Sequence, residues 1–541
     1  MTATGFSNTV LEADYVIVGG GTTGLVIASR LSEDPNASII VLEAGKGLSQ
    51  DPRVQIPALW TSLMGSDADW NFQTVPQGNP SNRCIRTPQG KLLGGSSGIN
   101  AQAFVAPMKA TIDAWEKLGA SGWIWKELLP YWKRAYSLNV PDEGRQKHIG
   151  IDNWLDLGYH GSYPPVHSRA WTDDFRTTGN GITTDPFSGQ SMGEYSAMAT
   201  VDSETKTRSY AATAYGLPVM QHWAVQIETE AVAQKIRFEH HGLDGNVTAT
   251  ATGVDVVIAG QFVTVNAKLE VIVSAGALNT PKLLELSGIG DEVLLRQFDI
   301  PVIVHNSNVG ENLQDHLMSG LNPLVRQEPE AVQNAMQLYA QDKTGPLTSG
   351  GMQSAAFMPL RGNSEEGHDI QAILCQRDAP VSTQMSFQAQ VNLHESGRTF
   401  IGQDLLPGNF LSLGVAQTFP FSRGRVHLSS ADPSEPPTVD PSALLKPNGR
   451  RNYPDAFLSD LDGAKKYLKA TATSAYHPCG TTAMLPRENG GVVDEQLRVY
   501  GTSNLRVYDA SIFPVITTTN PVSTVYAGAE RAADLIKRGN G

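Results

Sequence analysis

The stretch DYVIVGGGTTGLVIASRL, residues 14–31, decides the fold of this chain. Residues 14–18 are almost wholly apolar, which is typical of a parallel strand covered on both faces. Glycines end this run, and apolar residues then recur at helical spacing up to residue 31. The run SIIVL at residues 38–42 predicts a second strand. The three segments together predict a βαβ unit of about 30 residues.

A GxGxxG pattern occupies the turn of this unit, with Gly19, Gly21 and Gly24 at its three glycine positions. The first glycine permits a tight turn, the second lets a pyrophosphate approach the backbone, and the third allows close packing of helix on strand. Glu43 follows 19 residues after Gly24, where an acidic side chain accepts hydrogen bonds from ribose hydroxyls. The pattern predicts a dinucleotide with an unphosphorylated ribose, NAD or FAD. A glycine-rich turn without a ligand is the alternative.

Composition and charge exclude several classes of protein. The 541 residues include 54 acidic and 41 basic ones, which gives a net charge of −13 without any basic cluster. We therefore expect no nucleic-acid partner. Apolar runs of about 18 residues are absent from the sequence, so we expect no membrane span. The start MTATGFSNTVLEADYVIV has no basic leader or apolar segment before the first strand, which predicts a cytoplasmic protein, or a secreted one if a leader has been removed.

Cysteine spacing and known motifs argue against metal sites and against a Walker-type nucleotide-hydrolysing site. Cys84, Cys375 and Cys479 are far apart and form no CxxC pair, so neither a disulfide framework nor a metal site is expected. The sequence also lacks HExxH and Walker motifs. Cys479 is expected to be a small buried apolar residue rather than a reactive thiol.

Two further strand-to-helix units occur late in the chain. In LEVIVSAGALNTPKLLELSGIG, residues 269–290, a strand leads into a close turn, and Thr280-Pro281 predicts the N-cap and first position of a helix. In NLRVYDASIFP, residues 504–514, a short strand closes on Asp509. Asn520-Pro521 then predicts the start of a helix with one apolar face. The dinucleotide-binding fold is therefore assembled from separated stretches.

We predict an α/β fold, α+β overall, with a Rossmann-like domain into which an antiparallel-sheet substrate domain is inserted. Alternating runs such as LSLGVAQTF and RGRVHL indicate that antiparallel sheet. The predicted dinucleotide-binding parts are residues 1–154, 201–315 and 471–541. The predicted substrate-domain parts are residues 155–200 and 316–470.

Longer motifs resemble one protein family. GKLLGGSSGINAQAFVAPMKATID (90–113) and GALNTPKLLELSGIG (276–290) resemble the two signatures of the glucose-methanol-choline (GMC) flavoprotein oxidoreductases. The similarity continues through VGENLQDH (309–316), FSRGRVHLSSADPSEPPTVDP (421–441) and AYHPCGTTAM (475–484). It spans nearly the whole chain and is weakest in the middle.

The resemblance implies FAD rather than NAD, with the flavin ring at the boundary of the two domains. Some relatives carry a histidine bonded covalently to the flavin at the position of Asn100, and asparagine cannot form that bond, so we expect non-covalent FAD. The resemblance assigns cofactor contacts to Thr22, Thr23 and Glu43 for the adenosine half, Val232 for adenine, Gly94, Ser96, Asn100, Ala101 and Ala103 around the pyrophosphate and flavin, and Asp509, Ala510 and Pro521 elsewhere along the cofactor.

The chemistry implied is oxidation of an alcohol, in which a base takes the hydroxyl proton while hydride leaves for the flavin. His477 matches the family's catalytic histidine, and Pro478 favours an extended backbone before it. Asn520 matches the second member of the catalytic pair, although an asparagine before a helix-starting proline is also an ordinary N-cap. The helix N-terminus behind it offers positive charge in either case. His316, in LQDHL, belongs to a recurrent family element without a clear catalytic role.

The sequence leaves other functions and partners open. The expected substrate is a small-molecule primary or aryl alcohol, with a sugar as a further possibility, and the electron acceptor is oxygen or another oxidant. A lyase or light-driven decarboxylase on the same scaffold is the alternative reaction class. A flavin-binding protein with an inactive site is the third. The oligomeric state is not predicted.

Overall fold

The computed structural model describes most of the 541-residue chain. The described residues are 10–78, 82–139, 156–159, 177, 185–190, 193–241, 248–321, 331–350, 352–359, 382–390, 410–420, 422–442 and 461–539. Cys375 lies outside these ranges, as do parts of the predicted substrate domain.

The strands fall into one large mixed sheet, one antiparallel sheet and several small ones. They are β1 (Val10–Val18), β2 (Ile39–Leu42), β3 (Phe72–Gln73), β4 (Arg86–Thr87), β5 (Ala103–Phe104), β6 (Ser137–Asn139), β7 (Asp156–Tyr159), β8 (Gly193–Ser196), β9 (Met198–Ala199), β10 (Val225–Glu228), β11 (Ala231–His241), β12 (Thr248–Ile258), β13 (Gln261–Val273), β14 (Ile289–Gly290), β15 (Val304–His305), β16 (Leu317–Leu321), β17 (Met352–Pro359), β18 (Ser382–Gln390), β19 (Phe410–Gln417), β20 (Arg425–His427), β21 (Thr438–Asp440), β22 (Thr473–Ser474) and β23 (Leu505–Val507).

The helices cover the sheets and connect them. They are α1 (Thr22–Leu31), α2 (Pro52–Gln55), α3 (Lys109–Lys117), α4 (Trp125–Ala135), α5 (Leu217–Val219), α6 (Gly276–Leu286), α7 (Glu292–Gln297), α8 (Ala331–Asp342), α9 (Leu461–Thr471) and α10 (Val522–Gly539). Short 3₁₀ turns lie at Pro57–Leu63, Gly95–Gly98, Pro346–Thr348, Arg487–Asn489 and Ala510–Ile512, and a π-helical turn lies at Ala212–Gly216.

The large sheet has a parallel half and an antiparallel half that share β13. The parallel half runs in the order β10, β2, β1, β13, β23, and each neighbouring pair is parallel. The first part of β13 also pairs antiparallel with β12, which pairs antiparallel with β11. The predicted βαβ unit is present as β1, α1 and β2, and the predicted dinucleotide fold is assembled from distant segments as expected.

A buried ion pair holds the two ends of the chain together. Helix α10 packs against α1 and α4. Arg30 on α1 donates from Nε and Nη2 to the carboxylate of Glu530 on α10 at 2.6 and 3.0 Å, and Tyr215 Oη donates to the same carboxylate at 3.1 Å. Residues 500 apart in sequence therefore close the dinucleotide-binding half of the protein.

The second sheet is antiparallel throughout, in the order β22, β16, β19, β18, β17, β8. It uses the predicted substrate segments together with β22, which lies just beyond the boundary expected at residue 470. The run LSLGVAQTF forms β19 in this sheet. RGRVHL instead contributes β20 to a separate hairpin with β21.

The predicted start of helix α6 at Thr280-Pro281 is wrong, because the helix begins at Gly276. Pro281 lies inside the helix, where its missing N–H leaves the carbonyl of Ala277, four residues earlier, without its usual helical donor. The hydroxyl of Thr481 donates to that carbonyl at 2.6 Å and replaces the lost hydrogen bond. Within the described ranges, no helix combines the length and apolar character that crossing a bilayer requires.

Candidate active site

A cavity of about 290 Å³ lies where the parallel strands β1, β2 and β13 end. A single water needs only about 10–15 Å³, so the cavity has room for a large molecule. The carboxyl edge of parallel strands is also where open α/β sheets bind ligands. The predicted site residues that line the cavity are Gly19, Gly21, Thr22, Thr23, Glu43, Ser96, Asn100, Ala101, Ala103, Val232, His477, Asp509, Ala510, Asn520 and Pro521.

Gly24 and Gly94 do not line the cavity; they allow close packing around it. A Cβ at Gly24 would lie 1.9 Å from the carbonyl oxygen of Gly19, so helix α1 approaches β1 as closely as it does only with glycine there. Gly94 has φ of +95°, and a Cβ would lie 2.6 Å from the ring of Tyr210. Both glycines therefore shape the wall behind the residues that face the cavity.

The start of helix α1 is open toward the cavity. Gly21 precedes the helix, and a Cβ built on it meets no atom closer than 3.8 Å. Gly95 faces it with φ of +54°, and a Cβ there would lie 2.8 Å from the Cα of Gly21. The two glycine segments thus form a cradle of backbone around a helix N-terminus, which is the geometry that binds phosphate groups.

Glu43 lies at the end of β2 and faces the same cavity as Val232. Its Oε1 accepts from the N–H of Gly45 at 2.7 Å. Burial raises the pKa of Glu43 to about 7, although the backbone N–H groups and Lys91 act in the opposite direction. This carboxyl group borders the cavity, and its oxygens can accept hydrogen bonds from hydroxyl groups of a ligand.

Asp509 lines the cavity, but its carboxylate serves the protein itself. Oδ2 accepts from the N–H of Gly276 at 2.9 Å and from the hydroxyl of Thr280 at 2.6 Å, and Oδ1 accepts from the N–H of Ser511 at 2.7 Å. Thr280 is therefore a partner of Asp509 and not the N-cap that the sequence suggested. Asp509 holds the first turn of α6 at the cavity edge.

Asn100 is held firmly by its neighbours. Its carbonyl oxygen and its side-chain Oδ1 accept from Nη1 of Arg208 at 2.9 and 2.8 Å, and Oδ1 also accepts from the N–H of Gln102 at 3.0 Å. Arg208 is buried and also donates to the carbonyls of Val54 and Ser97. This arginine fixes the GGSSGIN segment from behind, a role that its isolated place in the sequence did not signal.

His477 and Asn520 come together at the cavity although 43 residues separate them in sequence. Asn520 Nδ2 lies 3.2 Å from His477 Nε2. Asn520 immediately precedes Pro521 and helix α10, so the amide is presented at the N-terminus of a helix. A hydrogen-bond donor, a nitrogen base and the positive end of a helix dipole therefore converge on one end of the cavity.

His477 contacts a second histidine on its other side. His477 Nδ1 lies 2.9 Å from His316 Nδ1, and His316 Nε2 lies 3.0 Å from the carbonyl oxygen of Thr418. Burial, together with the adjacent His316 ring, lowers the pKa of His477 well below its usual value. Burial lowers the pKa of His316 to about 4. Burial therefore favours the neutral form of both rings.

The backbone that carries His477 is anchored at two points. Tyr476, directly before it, has φ of +66°, a left-handed conformation that is uncommon outside glycine and often found at active sites. Asp315 Oδ1 accepts from the N–H of His477 at 3.0 Å, and the hydroxyl of Ser474 donates to Asp315 Oδ2. The imidazole therefore projects from a constrained loop.

Several lining residues were missed by the sequence analysis. The SAGA turn after β13 borders the cavity at Ser274–Ala277, and the strand-to-helix pattern could have indicated it. Aromatic side chains from the segment 60–72 carried no motif signal. Within the described residues, no group of three or more His, Cys, Asp or Glu side chains is arranged to hold a metal ion. Cys479 is buried as expected, and burial raises the pKa of its thiol.

Comparisons with known proteins identify the family of this chain. The GMC oxidoreductase model matches residues 13–318 with its N-terminal part and residues 452–529 with its C-terminal part. The dehydrogenase mpl7 of Monascus purpureus is 32% identical, covering 97% of this chain and 96% of that protein. A crystal structure of formate oxidase has a TM-score of 0.85 at 26% identity and covers 98% of this chain and 99% of its own. An FAD-dependent oxidoreductase from Chaetomium thermophilum has a TM-score of 0.82 at 25% identity, with 98% and 99% coverage.

The predicted family and fold class are confirmed by these matches, and so is FAD as the cofactor, while its non-covalent attachment stays a prediction. The family models cover more than half of the chain, and the solved relatives share the mixed α/β architecture over nearly its whole length. The chain belongs to the GMC oxidoreductase family, and its cofactor is FAD.

Proposed function

We propose that this protein oxidises the CH–OH group of a small-molecule alcohol to a carbonyl, with FAD bound non-covalently. The observation that carries the proposal is the pairing of His477 and Asn520 at the cavity, with 3.2 Å between Nε2 and Nδ2. A neutral imidazole beside an amide donor is suited to taking a proton from a hydroxyl group whose oxygen the amide holds.

The cavity residues fit FAD. The backbone cradle of Gly19–Thr23 and Gly95 at the start of α1 would hold the pyrophosphate, because no side chain blocks it and the helix N-terminus favours negative charge. Glu43 and Val232 would contact the adenosine half. The segment Ser96–Ala103 would border the flavin. Asn100 forms no covalent bond to a flavin, since a carboxamide lacks a nucleophilic nitrogen of the kind histidine offers.

FAD supplies the hydride acceptor, flavin N5, for a reaction in which the carbon–hydrogen bond of the alcohol breaks. His477 Nε2 takes the hydroxyl proton, and the oxygen's electron pair forms the carbonyl as hydride leaves. Asn520 Nδ2 donates a hydrogen bond to the same oxygen and orients it. The N-terminus of α10 stabilises the negative charge that develops during this step.

A primary or aryl alcohol is the substrate class that we favour. Trp60, Trp70, Phe72 and Tyr476 are among the cavity-lining residues, and aromatic walls suit an aryl group. Sugars are also included among the alcohols to be tested, because the sequence does not distinguish a sugar substrate from a primary or aryl alcohol. Formate belongs in it too, since a formate oxidase is among the related structures. The electron acceptor is oxygen or another oxidant, and related proteins include both an oxidase and dehydrogenases.

Anaerobic mixing of the FAD-loaded protein with aryl, aliphatic and sugar alcohols, and with formate, tests the proposal. We expect at least one alcohol to bleach the flavin absorbance, because a redox enzyme must reduce its cofactor. Reoxidation by oxygen and by a dye then separates oxidase from dehydrogenase. A flavin that stays oxidised with every alcohol but supports lyase or light-driven chemistry would overturn the proposal in favour of the alternative reaction class.

A further inference from the structure

We propose that His316 is a positioning residue that holds His477 with its proton on Nδ1, so that the lone pair of Nε2 faces the cavity. This inference rests on the proposed function, because it explains why Nε2 of His477 is free of a proton, as the proposed reaction requires. It concerns the loop element LQDHL, which the sequence analysis left without a role.

The fold brings the relevant groups together at one edge of the antiparallel sheet. His316 directly precedes β16, Thr418 directly follows β19, and His477 lies three residues after β22. Strand β16 is antiparallel to both of its neighbours, so its start lies beside the ends of β19 and β22. The N–H of Ala475 also donates to the carbonyl of His316 at 2.8 Å, which fixes the two histidine loops side by side.

A chain of hydrogen bonds assigns the protons. The carbonyl of Thr418 can only accept, so His316 Nε2, 3.0 Å away, carries a proton and donates it. A neutral imidazole has one proton, and His316 Nδ1 is therefore an acceptor. His477 Nδ1, at 2.9 Å, must donate to it. The proton of a neutral His477 is thus on Nδ1, and Nε2 keeps its lone pair.

His316 can serve as a constant acceptor because it stays neutral. Its side chain is 1% exposed, and burial lowers its pKa to about 4, although the carbonyls of Thr418 and Thr517 act in the opposite direction. A protonated His316 would turn its Nδ1 into a donor and would repel the proton of His477. Asp315, the residue before His316, bonds instead to the backbone N–H of His477 and to Ser474.

The other tautomer of His477 would prevent the proposed reaction. With its proton on Nε2, a neutral His477 would point a hydrogen at the alcohol oxygen and could not take the hydroxyl proton there. With its proton on Nδ1, Nε2 accepts the hydroxyl proton while hydride leaves the carbon for the flavin, and the Nδ1 proton stays in its bond to His316. No proton passes to His316, so this residue acts only through His477.

Two substitutions separate the acceptor from the packing of the ring. His316→Phe keeps an aromatic ring of similar shape but removes the acceptor nitrogen. His316→Asn places an acceptor oxygen close to the position of Nδ1. We expect His316→Phe to lower kcat by about 10²-fold, the lower end of what a positioned base contributes, with little change in KM. We expect His316→Asn to recover most of that loss.

The tautomer of His477 gives a readout that does not depend on turnover. In the FAD-loaded protein labelled with ¹⁵N-histidine, the spectrum of His477→Ala identifies the His477 ring signals. We expect wild type to show the proton on Nδ1. We expect His316→Phe to weaken that preference, because its aromatic ring offers no acceptor, although the donor Asn520 Nδ2, 3.2 Å from Nε2, still favours a proton on Nδ1. These spectra are recorded without substrate, so they decide the inference even if no alcohol reduces the flavin.

Two results would overturn the inference. One is a wild-type spectrum with the His477 proton on Nε2. The other is a His316→Phe enzyme whose kcat matches wild type. If His316→Phe does not fold, the wild-type spectrum and the kcat of His316→Asn still decide. A His316→Asn protein that binds FAD normally but has a kcat far below that of wild type would show that an acceptor at this position is not enough to make His477 an effective base.

Discussion

Replacing Gly24 by alanine tests the packing that positions the FAD-binding turn. A Cβ at this position would lie 1.9 Å from the Gly19 carbonyl oxygen and 3.2 Å from Ile17 Cγ2. Ordinary contacts of a Cβ begin at about 3.4 Å. The closer of these two atoms belongs to the backbone and cannot rotate aside as a side chain could. Helix α1 would therefore have to move away from β1 by more than 1 Å to relieve the clash.

The cost follows from that displacement. Forcing an extra methyl group into a packed interior costs typically about 1–3 kcal/mol. The same movement withdraws the α1 N-terminus from the pyrophosphate, and each 1.4 kcal/mol of lost binding is tenfold in Kd. We expect Gly24→Ala to lower the melting temperature of the apoprotein and to weaken FAD binding by about 10–100-fold.

Two matched substitutions make this result specific. Gly21→Ala places its methyl group in open space, with no atom closer than 3.8 Å, so it should weaken FAD binding while leaving the apoprotein as stable as wild type. Gly47→Ala meets nothing within 4 Å and should change neither quantity. Thermal unfolding of the apoprotein and FAD titration by flavin fluorescence measure both effects. A Gly24→Ala protein with wild-type stability and affinity would refute the reasoning.

Three further predictions concern stability and the cofactor. Glu530→Gln should cost about 3–5 kcal/mol in denaturant unfolding, because Arg30 then loses its buried anion and keeps the exposed carboxylate of Glu33. Glu33→Gln removes that exposed partner instead and should cost less than about 1 kcal/mol. Equal losses in the two variants would contradict this. Burial lowers the pKa of His427, but its hydrogen bonds to the carboxylates of Glu285 and Glu311 outweigh burial and raise the pKa to about 9. The stabilisation is therefore complete below pH 6.5, the ordinary pKa in the unfolded chain, and at most about 3 kcal/mol is lost as pH rises through 9. Thermal unfolding of His427→Gln should lack this pH dependence. Acid precipitation of the protein should release all FAD into the supernatant, because Asn100 forms no covalent bond to the cofactor. A yellow protein pellet would contradict non-covalent binding.

The sequence predicted the parts of the fold that depend on local patterns. The apolar runs of β1 and β2 and the spacing of Gly19, Gly21 and Gly24 determine the first βαβ unit, since each element follows from residues within it. The packing role of Gly24 was anticipated for the same reason, and a Cβ at this position would lie 1.9 Å from the carbonyl oxygen of Gly19 and 3.2 Å from Ile17 Cγ2 on β1.

Features that depend on distant partners were not predictable. Thr280 before Pro281 has the composition of a helix start, but its hydroxyl bonds to Asp509, which is 229 residues away. The proline is tolerated because Thr481, 204 residues from Ala277, replaces the lost donor. Neither partner is visible in a local pattern, and the helix start was therefore placed five residues too late, at Pro281 instead of Gly276.

The candidate site shows the same division. His477 and Asn520 came from the family resemblance and lie together in the cavity, where their catalytic roles stay a prediction. The contact between His316 and His477 spans 161 residues, so no spacing rule could reveal it. Arg208, which holds Asn100, likewise stands in no motif that sequence reasoning recognised.

The rate of flavin reduction in His477→Ala shows whether His477 is the base that takes the proton of the alcohol. Single-turnover mixing of the anaerobic, FAD-loaded variant with the best alcohol is compared with wild type and with His222→Ala, a histidine outside the cavity lining. We expect His477→Ala to bind FAD normally and to reduce it about 10²–10⁴-fold more slowly, the contribution of a positioned base. A His477→Ala protein that reduces its flavin as fast as wild type would contradict the account.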